Sequence, residues 1–305
     1  MRTGDPKRQS SRGFIVVAVL WILGALAALA VVYALYVRET EAALGINNDR
    51  LREQELARAG IELAVYRLTS IPESRPSSGA LAFQLGGARV DVQFASENAR
   101  IDLNAAPPDL LAGLFRSLGA RPEDADQIAA RIVGWRTPTR PGAADDEAAL
   151  YRTAGRGYSP RRGPFQHVNE LGLVLGISAV LLDRALPYLT VYSGQPEINV
   201  LNAVPQVLAA MPGLTPAMLN EFVTQRQTAP QDVLRARLGS AARYITVQPS
   251  NATRVFIDVR LDGVRRRQVE AVVLLLNGDT EPYRILSWQD VEGPASDGRA
   301  GGSLR

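Results

Sequence analysis

The uncharged run from Phe14 to Val37 constrains this chain more than any other feature. As a helix rising about 1.5 Å per residue, its 24 residues reach roughly 36 Å, enough to cross a hydrocarbon core with some tilt. Arg2, Lys7, Arg8 and Arg12 against Asp5 precede it, so the positive-inside rule puts the start in the cytoplasm and everything past Arg38 outside. A cleaved secretory signal competes, because Ala28-Leu29-Ala30 resembles a small-residue cut site. The apolar run continues through Val31 to Val37, which a removed signal does not need, so a retained anchor is expected. Helix formers persist beyond Arg38 and the first proline after the run is Pro72, while Leu56, Ala59, Leu63 and Tyr66 recur at helical spacing. One helix is predicted from about Phe14 to Thr69, half in lipid and half lying on a soluble domain.

The rest of the chain has the apolar content for one or two ordinary cores, 46% of the 305 residues being hydrophobic. No cysteine is present, which excludes disulfides, thiolate nucleophiles and Cys-based metal sites, and the single His167 excludes paired-imidazole sites. A net charge of +3 is too small to imply a polyanionic partner. Ser74 to Gly79 reads as a linker. Leu81–Leu85 and Arg89–Phe94 around Gly86-Gly87 read as a hairpin, and strands at about Val255–Leu261, Arg267–Leu276 and Tyr283–Trp288 are punctuated by Asp262-Gly263 and Asn277-Gly278. These strands are expected to form one antiparallel sheet on the N-terminal helix.

Between them, about Ile101 to Leu238 reads as helical, with Pro107-Pro108-Asp109 and Pro122-Glu123-Asp124 opening two helices. Later helices are expected near 168–174, 179–186, 204–210, 216–226 and 231–238. Leu103-Asn104-Ala105-Ala106-Pro107 recurs as Leu201-Asn202-Ala203-Val204-Pro205, each followed by a Leu-rich helix, a Gly turn (Gly119, Gly213) and a second helix. The residues after Gly293 read as a disordered tail.

Three turns in this region, at Gly119, Gly176 and Gly213, resemble the helix–hairpin–helix modules that hold DNA phosphates with backbone N–H groups. Those modules need a second glycine two residues on, where this chain has Arg121, Ser178 and Thr215. The basic residues do not cluster there either, so helical packing is the favoured reading and nucleic acid is not an expected partner. Asp145, Asp146 and Glu147 lie after Trp135 and read in two ways: clustered carboxylates that hold calcium, or a solvated loop whose acids start a helix. His167 has no partner set and reads as a surface or helix-start residue, and Arg265-Arg266-Arg267 reads as a solvated turn. No constellation supports catalysis, so the chain is not expected to be an enzyme.

The basic leader ending in Gly13, followed by Phe14 opening a long apolar helix that turns amphipathic, resembles type IV pilins and type II secretion pseudopilins. Their prepilin peptidase cuts between the Gly and the Phe. In nearly all of them the fifth mature residue is Glu; here it is Ala18, which resembles the minor pseudopilin K family of type II secretion. Ile101-Asp102-Leu103-Asn104-Ala105-Ala106 and Leu189-Thr190-Val191-Tyr192-Ser193 before Ile198-Asn199 strengthen the resemblance. It implies an α+β protein: leader 1–13, transmembrane helix 14–37, pilin helix and first hairpin 38–100, an inserted all-helical domain of SAM-like or helix–hairpin–helix-like type at 101–240, pilin strands at 241–290 and a tail at 291–305.

The resemblance further implies a single-pass bacterial inner-membrane protein, with cytoplasmic N-terminus and periplasmic bulk. Its function would be to initiate and cap the pseudopilus tip with other minor pseudopilins, on the secretion assembly platform, for export of folded proteins across the outer membrane. Relatives bind calcium in the insert, which would place Asp145, Asp146 and Glu147 as ligands, although Thr137 and Thr139 stand where relatives tend to carry acids. The alternative is an exported, membrane-anchored DNA-binding protein of the competence type.

Overall fold

In the computed structural model, residues 12–70, 75–140, 142, 145–226, 228, 231–261, 265–276 and 281–291 are described. The leader up to Ser11, the Asp262-Gly263 and Asn277-Gly278 turns and the tail from residue 292 lie outside them. The first element is α1 (Arg12–Thr69), followed by β1 (Ser78–Leu85) and β2 (Ala88–Ser96). The insert then runs through β3 (Ile101–Asp102), α2 (Pro108–Ser117), α3 (Pro122–Arg136), α4 (Asp146–Thr153), α5 (Ala179–Ala185), β4 (Leu189–Thr190), β5 (Ile198–Asn199), α6 (Pro205–Ala209), α7 (Pro216–Gln225), α8 (Gln231–Leu238) and β6 (Ile245–Thr246). Three long strands close the chain, β7 (Ala252–Leu261), β8 (Arg265–Leu275) and β9 (Tyr283–Val291).

The chain divides into two units, Met1–Glu55 and Leu56–Arg305. Within the first, Val16–Ala34 is long and apolar enough to cross a membrane, with a mean hydropathy of 2.6. Within the second, β1, β2, β7, β8 and β9 form one antiparallel sheet in that order. The two-residue turn joining β1 to β2 needs two residues at positive φ, which Gly86 (57°) and Gly87 (83°) supply. Ser78 and Gly79, read as linker, are instead the first residues of β1, paired with Ala95 and Phe94.

The end of α1 packs on this sheet, and of the residues that show its helical spacing in sequence Leu56 is covered. Leu56, Ala57, Ile61, Ala64, Val65 and Leu68 are buried against Val90, Val92, Ile257 and Val259, whereas Leu63 and Tyr66 are exposed. Both stripes have helical spacing; the buried one carries the small residues Ala57 and Ala64, which let the helix backbone approach the sheet.

The insert has its own core, from Ile101 to Ile245, with Leu110, Leu111, Leu114, Phe115, Ile132 and Tyr151 fully buried. It is helical apart from two parallel strand pairs, β3 with β4 and β5 with β6, which short apolar-polar dipeptides do not announce in sequence. The segment expected as a helix near 168–174 is a 3-10 turn, Val168–Leu173.

Candidate functional site

The insert is two versions of one unit. Its first version starts at β3, where Asp102 Oδ1 accepts from Asn104 N at 2.7 Å and the Asp102 carbonyl accepts from Ala106 N at 2.8 Å. In the second, Asn199 Oδ1 accepts from Leu201 N at 3.1 Å and the Asn199 carbonyl from Ala203 N at 3.0 Å. Both then enter a helix with proline at its start, α2 at Pro108 and α6 at Pro205, because proline's fixed φ and missing N–H suit that position. Each closes with a strand ending in threonine: Thr190 Oγ1 accepts from Tyr192 N, and Thr246 Oγ1 from Gln248 N. The repeat therefore aligns Asp102 with Asn199 and Pro108 with Pro205. The pairing of Leu103 with Leu201 read from sequence is displaced by one residue, since Pro107-Pro108 offers two prolines to match against Pro205.

At the three turns, Gly119, Gly176 and Gly213 have positive φ. The residues two positions on, Arg121, Ser178 and Thr215, are the N-caps of α3, α5 and α7. Ser178 Oγ accepts from Leu181 N and Thr215 Oγ1 from Met218 N, so these side chains consume helix N–H groups that a phosphate would otherwise meet.

The acidic cluster is brought to the start of α4, where it serves as a helix start. Asp145 is the N-cap, its Oδ1 accepting from Ala148 N at 2.8 Å, with Asp146 and Glu147 in the first turn. Asp145 is also paired with Arg162, and Glu147 Oε2 accepts from Arg131 Nη1 at 3.1 Å, while Asp146 is exposed. Glu147 Oε1 is buried without a hydrogen-bond partner, as is Trp135 Nε1. Glu147 Oε1 and the exposed Asp146 carboxylate fall short of the six to eight oxygens calcium takes, and among the described residues no three His, Asp or Glu side chains converge to hold a metal. The residues present do not fit calcium.

His167 starts the 3-10 turn, its Nδ1 accepting from Asn169 N at 3.1 Å. Arg265-Arg266-Arg267 belongs to β8 rather than to a turn; Arg266 pairs with Asp258 and Arg267 with Asp290, each at 2.8 Å. Gly13 and Phe14 lie within α1, and Ala18 is half-buried on it.

Sequence reasoning missed the ionic cluster that joins insert to sheet. Glu97, fully buried just after β2, accepts from Thr190 Oγ1 at 2.6 Å and from Arg254 Nε at 3.1 Å, and Arg254 also pairs with Glu270. Burial pushes the Arg254 guanidinium down, but its bonds to Glu97 and Glu270 outweigh this and hold it above its ordinary range. No local signal marks Glu97 as buried, because its hydrogen-bonding side-chain partners are 93 and 157 residues away.

The family model for protein K of the type II secretion system matches residues 88–194, which run from β2 past β4. A type II secretion system protein K from Klebsiella pneumoniae is 32% identical over 126 residues. Through this region the chain is similar to the protein K family. The match covers 40% of the chain and 37% of the Klebsiella relative's length. The crystal structure of the GspK-GspI-GspJ complex from the enterotoxigenic Escherichia coli type 2 secretion system contains a chain with the same fold: TM-score 0.60 at 17% identity, covering 81% of this chain and 98% of that one. The antiparallel sheet and inserted helices thus share the fold of a chain of that complex, and the apolar helix suits a single-pass membrane anchor.

Proposed function

We propose that this chain is a minor pseudopilin that initiates and caps the tip of a type II secretion pseudopilus, during export of folded periplasmic proteins across the outer membrane. The observation that carries the reading is Ala18, on an otherwise pilin-like helix. The resemblance to pilins implies a Glu there that pairs with the N-terminal amine of the subunit ahead, and an ion pair in lipid is strongly preferred over either charge alone. Alanine loses that pair at no cost only where no subunit lies ahead. The insert argues the same way, because a second copy stacked in a filament has to accommodate it. Leu63 and Tyr66, exposed on α1, offer an apolar stripe to a neighbouring subunit's helix.

In this reading prepilin peptidase cuts between Gly13 and Phe14, and Val16–Ala34 anchors the mature chain in the inner membrane with the N-terminus cytoplasmic and the bulk periplasmic. The partners are other minor pseudopilins, joined at the assembly platform. Purification of the tagged full chain from detergent-solubilised membranes tests this: one copy should emerge with other minor pseudopilins. A homo-oligomer free of them would overturn the reading.

A further inference from the structure

Two arginines sit where a cation would be needed in the acidic loop. Arg162 Nε donates to Asp145 Oδ2 at 3.1 Å while its Nη2 pairs with Oδ1, and its Nη1 donates to the Gly134 carbonyl at 2.8 Å. That carbonyl lies in the last turn of α3, and Asp145 caps α4, so one guanidinium ties the C-terminal end of one helix to the N-terminal cap of the next. A positive charge is favoured at a helix C-terminus, where the dipole is negative, as well as beside the carboxylate. Arg131 does the second half of the work on Glu147, whose carboxyl rests so close to α3 that a Cβ on Gly134 would fall 2.9 Å from its carbon.

We propose that Arg162 and Arg131 take the place of a divalent cation in this loop, so that the insert closes it without metal. A bound cation would link carboxylate and carbonyl oxygens from separate segments and neutralise them; the Arg162 fork links Asp145 to Gly134 and neutralises the aspartate. The backbone shows how firmly Arg162 is placed. At φ 57° it is the one described non-glycine residue in the left-handed region, a conformation that persists only where surrounding contacts fix it. The planar guanidinium matters as well as the charge, because it spans three acceptor atoms that a lysine ammonium on a flexible stem does not reach together.

The full chain in detergent, unfolded thermally in millimolar calcium and in EGTA, tests the proposal together with limited proteolysis across residues 145–163. The wild type should melt at the same temperature in both buffers. Arg162→Gln should be cleaved about five- to thirtyfold faster than wild type in both buffers, as expected when local opening becomes easier. Arg162→Lys should recover part of that protection. A wild-type melting temperature that rises with calcium, or Arg162→Gln cleaved at the wild-type rate, would overturn the proposal.

Discussion

Arg136 and Arg226 hold the same place in the two halves of the insert. Arg136, at the end of α3, donates to the carbonyl oxygens of Leu103 and Ala106; Arg226, just after α7, donates to those of Val200 and Ala203. Each arginine thus returns from the second helix of its unit to satisfy the backbone that leads into the first. Both side chains are half-buried, and this burial pushes their guanidiniums below their ordinary range.

Arg136→Ala leaves two carbonyl acceptors without their charged donor. Hydrogen bonds to charged groups contribute about 1.5–3 kcal/mol each, so a loss of about 3 kcal/mol is expected in denaturant unfolding of the insert. Arg226→Ala should behave alike. A change below about 0.5 kcal/mol in either variant would mean that these arginines are surface decoration.

Gly113→Ala should be more damaging than its size suggests. A Cβ at this position of α2 would fall 1.8 Å from the Ala210 carbonyl oxygen, which is backbone and cannot swing aside, so α2 and α6 must separate. Overpacking of this kind costs typically 1–3 kcal/mol, and the upper end applies where no flexible side chain gives way. Circular dichroism melts of the variant would register the loss, and an unchanged melt would contradict the close helix contact.

Asp258 gives the sheet an acid-sensitive tie. Burial raises its pKa, but the forks of Arg266 and Arg260, bonded to it at 2.8 Å each, outweigh burial and hold the carboxyl below the usual carboxylate range. A depressed folded-state pKa stabilises above the unfolded value, about 3.9, and that contribution is lost as pH falls through the folded value. The stability gap between wild type and Asp258→Asn should therefore be full at neutral pH and close below about pH 4. A gap that persists unchanged to acid pH would rule out the ion pairs as its source.

The architecture was largely readable because it rests on local signals: the apolar run for α1, Gly86-Gly87 for the hairpin, prolines for the starts of α2 and α3. What escaped depended on distant partners. Leu63 and Tyr66 matched helical spacing as well as Ile61 and Val65 did, and only the sheet decides which stripe is covered. The strand pairs joining Ile101 to Leu189 and Ile198 to Ile245 are too short for any periodicity to reveal. The acidic cluster reads in sequence as metal ligand or helix start alike, because Arg162 and Arg131, which meet it, lie outside it in sequence.

Maturation should remove the leader and spare the anchor. N-terminal sequencing of the membrane-bound chain should begin at Phe14, and Gly13→Asp should leave it uncut. Val17→Asp, at the edge of the Val16–Ala34 span, should disfavour insertion by less than the roughly 2.5–3.5 kcal/mol expected of a charge at the helix centre. A mature start at Val31 would indicate ordinary signal-peptide removal and contradict the pilin reading.

The tip assignment is tested most directly by a photo-crosslinking residue placed at Ala18 in cells assembling the pseudopilus. Because Ala18 lacks the carboxylate that would meet the amine of a subunit ahead, its crosslinks should reach other minor pseudopilins and never a second copy of this chain. Crosslinks between copies, or adducts to the major subunit distributed along the whole shaft, would contradict the tip assignment.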